Sequence, residues 1–329
     1  EYAVIDCSVE IAKKIKKQHG FINALLNKVV LNKNELKKTR INYKVLPTWF
    51  KRETKNLSDF EKKSFVFEYC RKPNIHIVFK NYKYLSCFQN EIIQTSNKSG
   101  FLKNEEKIED IPSFKSGQWW VQDYSSQIPI KVFSVKKDEE ILDLCAAPGG
   151  KTAQMLTLGA RVLSIDKNKN RIKKFNENMK RLKFDANIIE VDILDYSTKK
   201  KWNKILLDAP CSSTGTIRKN PDILYSHSTK SINNLSKLQK NLMKKSWSML
   251  NKNGLLMYCN CSLEPEEGEK IIEEFLSNNK NAKIIKFKPE EYKYLNNSIK
   301  RQGWIRVLPS DKGKVKNTDG FFIAQLQKI

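Results

Sequence analysis

Two cysteines follow runs of residues that are typical of buried β-strands. Cys211 comes after the apolar run 204–207 and the sequence Asp-Ala-Pro that begins at Asp208, and Cys261 follows the run 254–260. A lone buried cysteine usually behaves as a small hydrophobic residue. A thiolate, however, is a strong nucleophile. Two cysteines at strand ends, one of them behind an acidic residue, therefore favour a nucleophilic site over packing alone.

A glycine-containing turn in the middle of the chain indicates where a ligand would bind. The sequence CAAPGGKT at 145–152 follows a strand-like run that includes Ile141 and Leu142, and a helical pattern starts at Thr152. The glycines allow the backbone to approach a ligand closely, and the helix N-terminus offers free N–H groups. We interpret this arrangement as the first turn of a nucleotide-type α/β unit.

The turn excludes two common kinds of nucleotide site. A P-loop requires a glycine where this chain has Cys145, and the G-x-G-x-x-G pattern of dinucleotide sites is absent. The remaining ligand is a nucleoside with a short charged tail, such as S-adenosylmethionine (SAM). A second strand-like run, 162–165, ends in Asp166, where such folds place a carboxylate that binds the ribose diol.

From residue 138 onward, strand-like and helical patterns alternate regularly. We expect strands near 140–145, 161–166, 187–191, 203–208, 254–260 and 320–327. This alternation predicts one doubly wound (Rossmann-like) α/β domain, with ligands beyond the carboxyl ends of the strands. In the methyltransferase form of this sheet the strands before Cys211 and Cys261 are neighbours, so the two thiols should converge on one cleft.

The chain divides into three predicted parts. Residues 1–47 form a helical segment in which Gly20 separates two apolar stripes. Residues 48–116 form a small α+β domain, and residues 117–329 form the doubly wound domain.

Inside the small domain we expect one helix and two short strands. The helix covers about 50–72 and ends before Pro73, and the strands cover 75–79 and 84–88. The aromatic segment 117–127 follows, and two interpretations of it stay open. It is either a helix that packs Trp120 and Tyr124 against the sheet or a direct ligand contact.

The charge of the chain favours a polyanionic partner. Lys and Arg number 61 against 36 Asp and Glu, which gives a net charge of +25 spread along the whole sequence. Nucleic acid is the simplest partner for such a charge. The abundance of Lys, Asn and Ile also fits a biased genome, and this second explanation stays open.

The cysteine count and the apolar runs exclude several other classes. The seven cysteines are scattered and contain no C-x-x-C pair, so we expect neither a disulfide framework nor a metal site. Free cysteines are typical of a reducing compartment, and we therefore expect a cytoplasmic protein. No apolar run reaches the length of a membrane helix, and nothing resembles a signal peptide. Because the chain begins at Glu1 rather than methionine, we expect a segment to precede it. We also expect a monomer.

Several independent motifs together resemble one family. They are CAAPGGKT at 145–152, DAPCSSTG at 208–215, RKNPD at 218–222, CS at 261–262 with EPEE behind it, and DGFF at 319–322. In this order they resemble the RsmB/NSUN (Nol1/Nop2/Sun) family of SAM-dependent RNA cytosine-5 methyltransferases, and most closely its bacterial RsmB (Sun/Fmu) branch. The resemblance covers 117–329 strongly. The helical start resembles the tail of the NusB-like domain that such proteins carry.

The resemblance implies a role for each matching residue. Cys261 matches the nucleophile, Cys211 the cysteine that assists product release, and Asp208 a group that helps to hold the cofactor and the target base. Asp166 would bind the ribose of SAM, and Asp192 would lie near its adenine. The methionine part would be cradled by Cys145, Ala146, Ala147, Pro148, Gly149, Gly150 and Lys151.

One departure leaves an alternative nucleophile open. The family usually has Ser-Thr before the nucleophile, whereas this chain has Cys259 and Asn260. Strand alternation turns Cys259 to the same side as Cys261. We prefer Cys261 because it precedes Ser262 and the acidic helix start.

The implied reaction is methylation of carbon 5 of a cytosine in RNA, most simply small-subunit (16S) ribosomal RNA, through a covalent cysteine adduct. Three alternatives are a tRNA methyltransferase of the same family, a DNA cytosine methyltransferase, and a non-catalytic RNA-binding ribosome assembly factor on the same fold. The DNA enzymes would use Cys211 as nucleophile and would leave Cys261 without a role. The paired cysteines and the glycine turn argue against the assembly factor.

Overall fold

The computed structural model describes residues 2–39, 42–48, 51, 58–69, 71–86, 88, 91–103, 107–295, 297–309 and 317–329. They belong to two units, residues 1–45 and residues 46–329. None of the helices within these described ranges is long and apolar enough to cross a membrane.

Apolar residues at helical spacing fold the first unit into helices, as predicted. The helices are α1 (Tyr2–Lys14), α2 (His19–Leu31) and α3 (Lys33–Lys38). The prediction that Gly20 separates the first two is wrong, because Gly20 lies inside α2. The break falls earlier, where Lys16 takes a left-handed conformation with a φ of 53° that a continuing helix cannot accommodate.

The second unit begins with a small antiparallel sheet. Its helices and strands are α4 (Asp59–Tyr69), β1 (His76–Phe79), α5 (Lys83–Ser86), β2 (Ile92–Ser96), β3 (Ser99–Leu102) and β4 (Trp119–Val121). The strand order is β2-β3-β1-β4. Buried Ile77, Phe79, Phe88 and Trp119 form its core. The sheet thus takes its edge strand β4 from beyond residue 116.

One sequence expectation in this region is wrong. The predicted strand over 84–88 overlaps α5, which starts where the Asn81 side chain accepts a hydrogen bond from the Lys83 backbone N–H at 3.0 Å; Cys87 lies outside the described residues.

For the segment 117–127, the helix interpretation holds only in part. The buried Tyr124 begins a helix that Asp123 caps by accepting from the Ser125 N–H, whereas Trp120 lies in β4. The part of the predicted helix 50–72 that the structure describes contains α4, and residues 50, 52–57 and 70 lie outside the description.

The rest of the chain forms one large sheet with helices on both faces. Its strands are β5 (Glu140–Leu144), β6 (Arg161–Asp166), β7 (Asn187–Glu190), β8 (Trp202–Asp208), β9 (Leu250–Asn260), β10 (Ala282–Ile285), β11 (Ile305–Val307) and β12 (Phe321–Lys328). Its helices are α6 (Tyr124–Val132), α7 (Gly150–Thr157), α8 (Lys169–Leu182), α9 (Ile223–Ser226), α10 (Thr229–Ser248) and α11 (Glu269–Asn278).

The strand order places a switch point at the centre of this sheet. The order is β10-β12-β9-β8-β5-β6-β7, with β11 paired to β12. From β5 the chain runs outward through β6 and β7, and then returns to β8 on the other side of β5. The strands from β9 to β7 are parallel, whereas β12 runs antiparallel to β9. Ligands bind at such a switch point, beyond the carboxyl ends of the strands.

The small sheet is fastened to the end of α8. The Arg181 guanidinium donates to the backbone oxygens of Phe114 and Trp119, both at 2.9 Å, and lies over the Phe114 ring. The Lys80 ammonium donates to the Leu182 backbone oxygen at 2.6 Å. Between these contacts Gly117 packs directly on the helix backbone, with a φ of 74°. This contact holds β4 beside the turn that follows β5.

Gly117→Ala should destabilise this attachment. An added Cβ would lie 1.9 Å from the Arg181 backbone oxygen, and the left-handed conformation itself costs about 1–3 kcal/mol for a residue with a side chain. Denaturant unfolding should show a loss of at least about 2 kcal/mol. Ser116→Ala, one residue earlier on an exposed position, is the matched control and should change the free energy of unfolding by less than about 0.5 kcal/mol. Equal stability of the two variants would contradict the packing of this loop on α8.

Candidate active site

The turn after β5 is shaped by two residues with positive φ. Cys145 has a φ of 61° and Gly149 a φ of 101°. A Cβ at Gly149 would lie 2.5 Å from Met179 Cε and 2.8 Å from Phe175 Cδ2, so only glycine lets α8 pack this closely. α7 starts at Gly150, and its first backbone N–H groups are available at the end of the turn.

A cavity of about 460 Å³ opens beside this turn. One wall is the turn itself and the start of α7. The lining also includes Trp120 of strand β4 in the small sheet, Gln122 just after that strand, and Asp143 and Asp208 near the ends of strands in the large sheet. The volume lies within the range of small-molecule sites. The turn residues that line it are Ala146, Ala147, Pro148, Gly149, Gly150 and Lys151.

Asp143 lines this cavity and was not singled out from the sequence. Its Oδ2 accepts a hydrogen bond from Thr152 Oγ1 at 2.6 Å, whereas its buried Oδ1 meets no donor among the described residues. Burial raises the pKa of this carboxyl group to about 7. The available signal was an acidic residue between the two apolar residues Leu142 and Leu144 of a strand.

Asp166 and Asp192 lie at the neighbouring strand ends but do not line the cavity. Asp166 is buried, and its carboxylate accepts from the Ala147 N–H at 3.1 Å and lies 3.6 Å from Arg171. Asp192 pairs with Lys167 at 2.9 Å, and the hydrogen bond from this lysine lowers the pKa of Asp192. Cys145 also lies outside the cavity wall. The contacts of Asp166 brace the turn.

Lys151 and Asp208 form a salt bridge at the centre of the site. The ammonium group lies 2.8 Å from Asp208 Oδ2 and 5.0 Å from the centre of the Phe321 ring. Burial lowers the pKa of Lys151, but the charge of Asp208, its hydrogen bond and the nearby cysteines together outweigh burial and hold this pKa well above its usual range. The lysine is thus a fixed positive charge beside the strand ends.

The two predicted cysteines do converge. Cys211 Sγ and Cys261 Sγ are 3.5 Å apart, and Ser213 Oγ lies 3.3 Å from the sulfur of Cys261. Both cysteines are partly exposed. Ser213 was missed at the sequence level because DAPCSSTG contains two serines and nothing in the pattern separates their roles.

The two thiols differ in acidity. The hydrogen bond with Cys211 lowers the pKa of Cys261, the contact with Ser213 lowers it further, and burial opposes both. The same hydrogen bond, together with burial, raises the pKa of Cys211 well above its usual range. Cys261 is therefore the more acidic thiol of the pair, and this difference favours Cys211 as the hydrogen-bond donor between the two sulfurs.

The alternative nucleophile, Cys259, lies in a different environment. It is fully buried, and its thiol donates to Asp208 Oδ1 at 3.5 Å. Burial and the nearby Asp208 charge raise its pKa well above the usual range. Burial likewise raises the pKa of Cys145. Among the described cysteines at this end of the sheet, only Cys261 has a lowered pKa.

Within the described ranges, no cluster of three or more His, Cys, Asp or Glu side chains could hold a metal ion.

Comparison with known proteins identifies relatives over most of the chain. The family model for "16S rRNA methyltransferase RsmB/F" matches residues 130–327. Ribosomal RNA small subunit methyltransferase B of Pasteurella multocida is 36% identical over 68% of this chain and 50% of its own length. The probable enzyme of the same name from Coxiella burnetii is 28% identical over 99% of this chain and 80% of its own length. The chain thus spans about half the length of the first of these relatives.

Solved structures show the same architecture. PH0851 is 25% identical with a TM-score of 0.81, over 97% of this chain and 75% of its own. NSun6 from Pyrococcus horikoshii, solved with SFG, is 19% identical with a TM-score of 0.71, over 86% of this chain and 98% of its own, and it supports the fold alone. The predicted doubly wound, Rossmann-like methyltransferase fold is confirmed. Because the family model covers more than half of the residues, this chain belongs to the RsmB/F family of 16S rRNA methyltransferases.

Proposed function

We propose that this chain transfers a methyl group from SAM to carbon 5 of a cytosine in RNA, with Cys261 as the nucleophile and Cys211 as the residue that assists release. The observation that carries this proposal is the pair of sulfurs 3.5 Å apart, of which only one has a lowered pKa. A single thiolate with a thiol donor beside it suits a reaction in which a carbon–sulfur bond forms and later breaks.

The residues around the turn fit SAM. The cavity has room for a nucleoside with a short tail, the first N–H groups of α7 suit a carboxylate, and the unpaired Asp143 Oδ1 offers an acceptor for an ammonium group. We propose that the residues at 145–151 hold the methionine part, and that the bound ligand extends past the cavity wall to Asp166 at the ribose and Asp192 near the adenine, both at the neighbouring strand ends. When bound, SAM supplies an electrophilic methyl group.

Cys261 begins the reaction on the base. Carbon 5 of cytosine is a weak nucleophile, and addition of the Cys261 thiolate to carbon 6 makes it enamine-like. The hydrogen bond from Cys211 stabilises that thiolate before attack. The base must first leave its stack, at a cost of about a few kcal/mol that is smaller in a loop.

Asp208 and Lys151 are placed to hold the reacting base. Asp208 lies at the end of β8, next to β9, which leads to Cys261. Its Oδ1 faces Cys259 and its Oδ2 faces Lys151. We propose that this carboxylate binds the amino edge of cytosine and that the lysine charge stabilises the negative charge that develops on the ring.

Cys211 then assists the last step. After carbon 5 has gained its methyl group, a solvent molecule accepts the carbon-5 proton, the electrons of that C–H bond restore the double bond between carbons 5 and 6, and the carbon–sulfur bond breaks with its electrons leaving on Cys261. The Cys211 thiol donates to the departing sulfur and so stabilises the thiolate that leaves.

Ribosomal RNA is the substrate class that the comparisons favour. The matching family model describes 16S rRNA methyltransferases, and the curated relatives are named for small-subunit ribosomal RNA. The net charge of +25 suits binding to phosphates. We therefore propose 16S rRNA rather than tRNA.

The two cysteines should behave differently when each is removed. Cys261→Ala should abolish methylation and leave no protein–RNA adduct, because the attacking sulfur is gone. Cys211→Ala should accumulate an SDS-resistant adduct in the presence of SAM, because elimination stalls, and the double variant should form none. Denaturing gels with labelled substrate RNA measure these outcomes.

Cys259→Ala tests the alternative assignment in the same gel. It should still transfer methyl groups through Cys261, since the Cys259 thiol is buried and has a raised pKa. An adduct that survives Cys261→Ala but disappears in Cys211→Ala would support the DNA-type mechanism. Loss of transfer in Cys259→Ala, with Cys261→Ala still active, would assign the attack to Cys259.

The hydrogen bond between the sulfurs also predicts a pH effect. Removal of the donor in Cys211→Ala destabilises the Cys261 thiolate, so the pKa of Cys261 rises and less thiolate is present at a given pH. The rising limb of the single-turnover methyl-transfer rate should therefore move to higher pH. Cys7→Ala, an exposed cysteine in the unit of residues 1–45, is the control and should match the wild type. Coincident profiles for Cys211→Ala and the wild type would rule out this role of Cys211.

A further inference from the structure

A buried carboxylate touches the loops that carry both cysteines. Glu267 ends the 3₁₀ turn 265–267 and is fully buried. Its Oε1 accepts from the Ser212 backbone N–H at 3.0 Å, and its Oε2 accepts from the Ser212 hydroxyl group and from Ser262 Oγ at 2.6 Å. Ser212 follows Cys211, and Ser262 follows Cys261.

The residues that precede the two cysteines are tied to Glu267 as well. Gln239 on α10 donates from one amide nitrogen to Glu267 Oε1 at 2.9 Å and to the Pro210 backbone oxygen at 2.8 Å. The backbone oxygen of Glu267 accepts from Asn260 Nδ2 at 2.7 Å. Each cysteine is therefore flanked on both sides by residues that hydrogen bond to Glu267, directly or through Gln239.

The charge of this group also acts on the thiols. A buried negative charge disfavours a second one nearby. The Glu267 charge is one of the causes that raise the pKa of Cys211, after the hydrogen bond to Cys261 and burial. It thus opposes ionisation of the thiol that serves as donor.

We infer that Glu267 is a positioning residue: its carboxylate holds the two loops at the separation at which one thiol donates to the other, and its charge keeps Cys211 as the donor. The inference rests on the proposed function for its catalytic consequence. Its effect on the free thiols depends on neither RNA nor SAM.

Glu267→Gln tests this role because the amide keeps the shape of the side chain but removes its charge and one acceptor. The full chain is alkylated with iodoacetamide near neutral pH, and mass spectrometry of the peptides measures modification of Cys261 and Cys211 separately. In the wild type, Cys261 should react faster. In Glu267→Gln the ratio of the Cys261 rate to the Cys211 rate should fall about tenfold, because loss of the charge makes the Cys211 thiol easier to ionise.

Glu274→Gln on α11 is the matched control, since it removes the same charge from an exposed ion pair with Lys240 of α10. Its ratio should equal that of the wild type. A purely structural role of Glu267 would lower the melting temperature and raise both alkylation rates together, and the ratio would stay within about twofold of the wild type. That result in the folded variant overturns the inference.

Ser212→Ala and Ser262→Ala provide the test if Glu267→Gln does not fold. Each removes one hydroxyl contact with the carboxylate. Because the carboxylate would then hold the two loops less firmly, both variants should lower the ratio of the Cys261 alkylation rate to the Cys211 alkylation rate. A ratio equal to that of the wild type in both variants overturns the inference.

The test separates this inference from the proposed function. If Glu267→Gln changes the ratio of alkylation rates but the wild-type chain methylates no RNA, the role of Glu267 in the thiol pair is supported and the proposed function is rejected. An unchanged ratio in a chain that methylates RNA through Cys261 would reject the role of Glu267 alone.

Discussion

The parallel pairing of β8 with β9 is the constraint on which the site depends. Asp208 pairs with Cys259 in the register of these strands, so the loops that follow both strands leave the sheet side by side. This adjacency brings Cys211 and Cys261, 50 residues apart in sequence, to a separation of 3.5 Å. Asp208 at the end of β8 also forms the salt bridge with Lys151, on the other side of the switch point. A change in the register of β8 would therefore break the cysteine pair and this salt bridge at the same time.

Small differences in environment then give chemically identical side chains different roles. Cys259 is buried against a carboxylate, Cys211 lies near the charge of Glu267, and Cys261 forms hydrogen bonds with Cys211 and Ser213. In each case the surroundings favour either the neutral or the charged form. Cys261 is therefore the most acidic of these thiols, and in the proposed mechanism this difference lets a bond form at its sulfur while Cys211 donates a hydrogen bond.

The part of the site nearest the strand ends could be predicted from the sequence, because the strands of an α/β sheet and their end residues follow from local patterns. The turn at 145–151 and the two converging cysteines are examples. The small sheet was largely missed, because its strands are stabilised by pairing rather than by their own periodicity: β3 and β4 pair with β1, and β2 pairs with β3. The contacts of Glu267 and Ser213 could not be predicted, since they depend on how separate loops meet.

The central claim is that this arrangement methylates carbon 5 of cytosine in ribosomal RNA. Small-subunit RNA from cells that lack the gene can be incubated with the chain and SAM that carries a deuterated methyl group, and its nucleosides analysed by mass spectrometry. The account predicts deuterium-labelled 5-methylcytidine. Label in a cytidine methylated on its exocyclic nitrogen, or in another nucleoside with none at carbon 5 of cytosine, would contradict it.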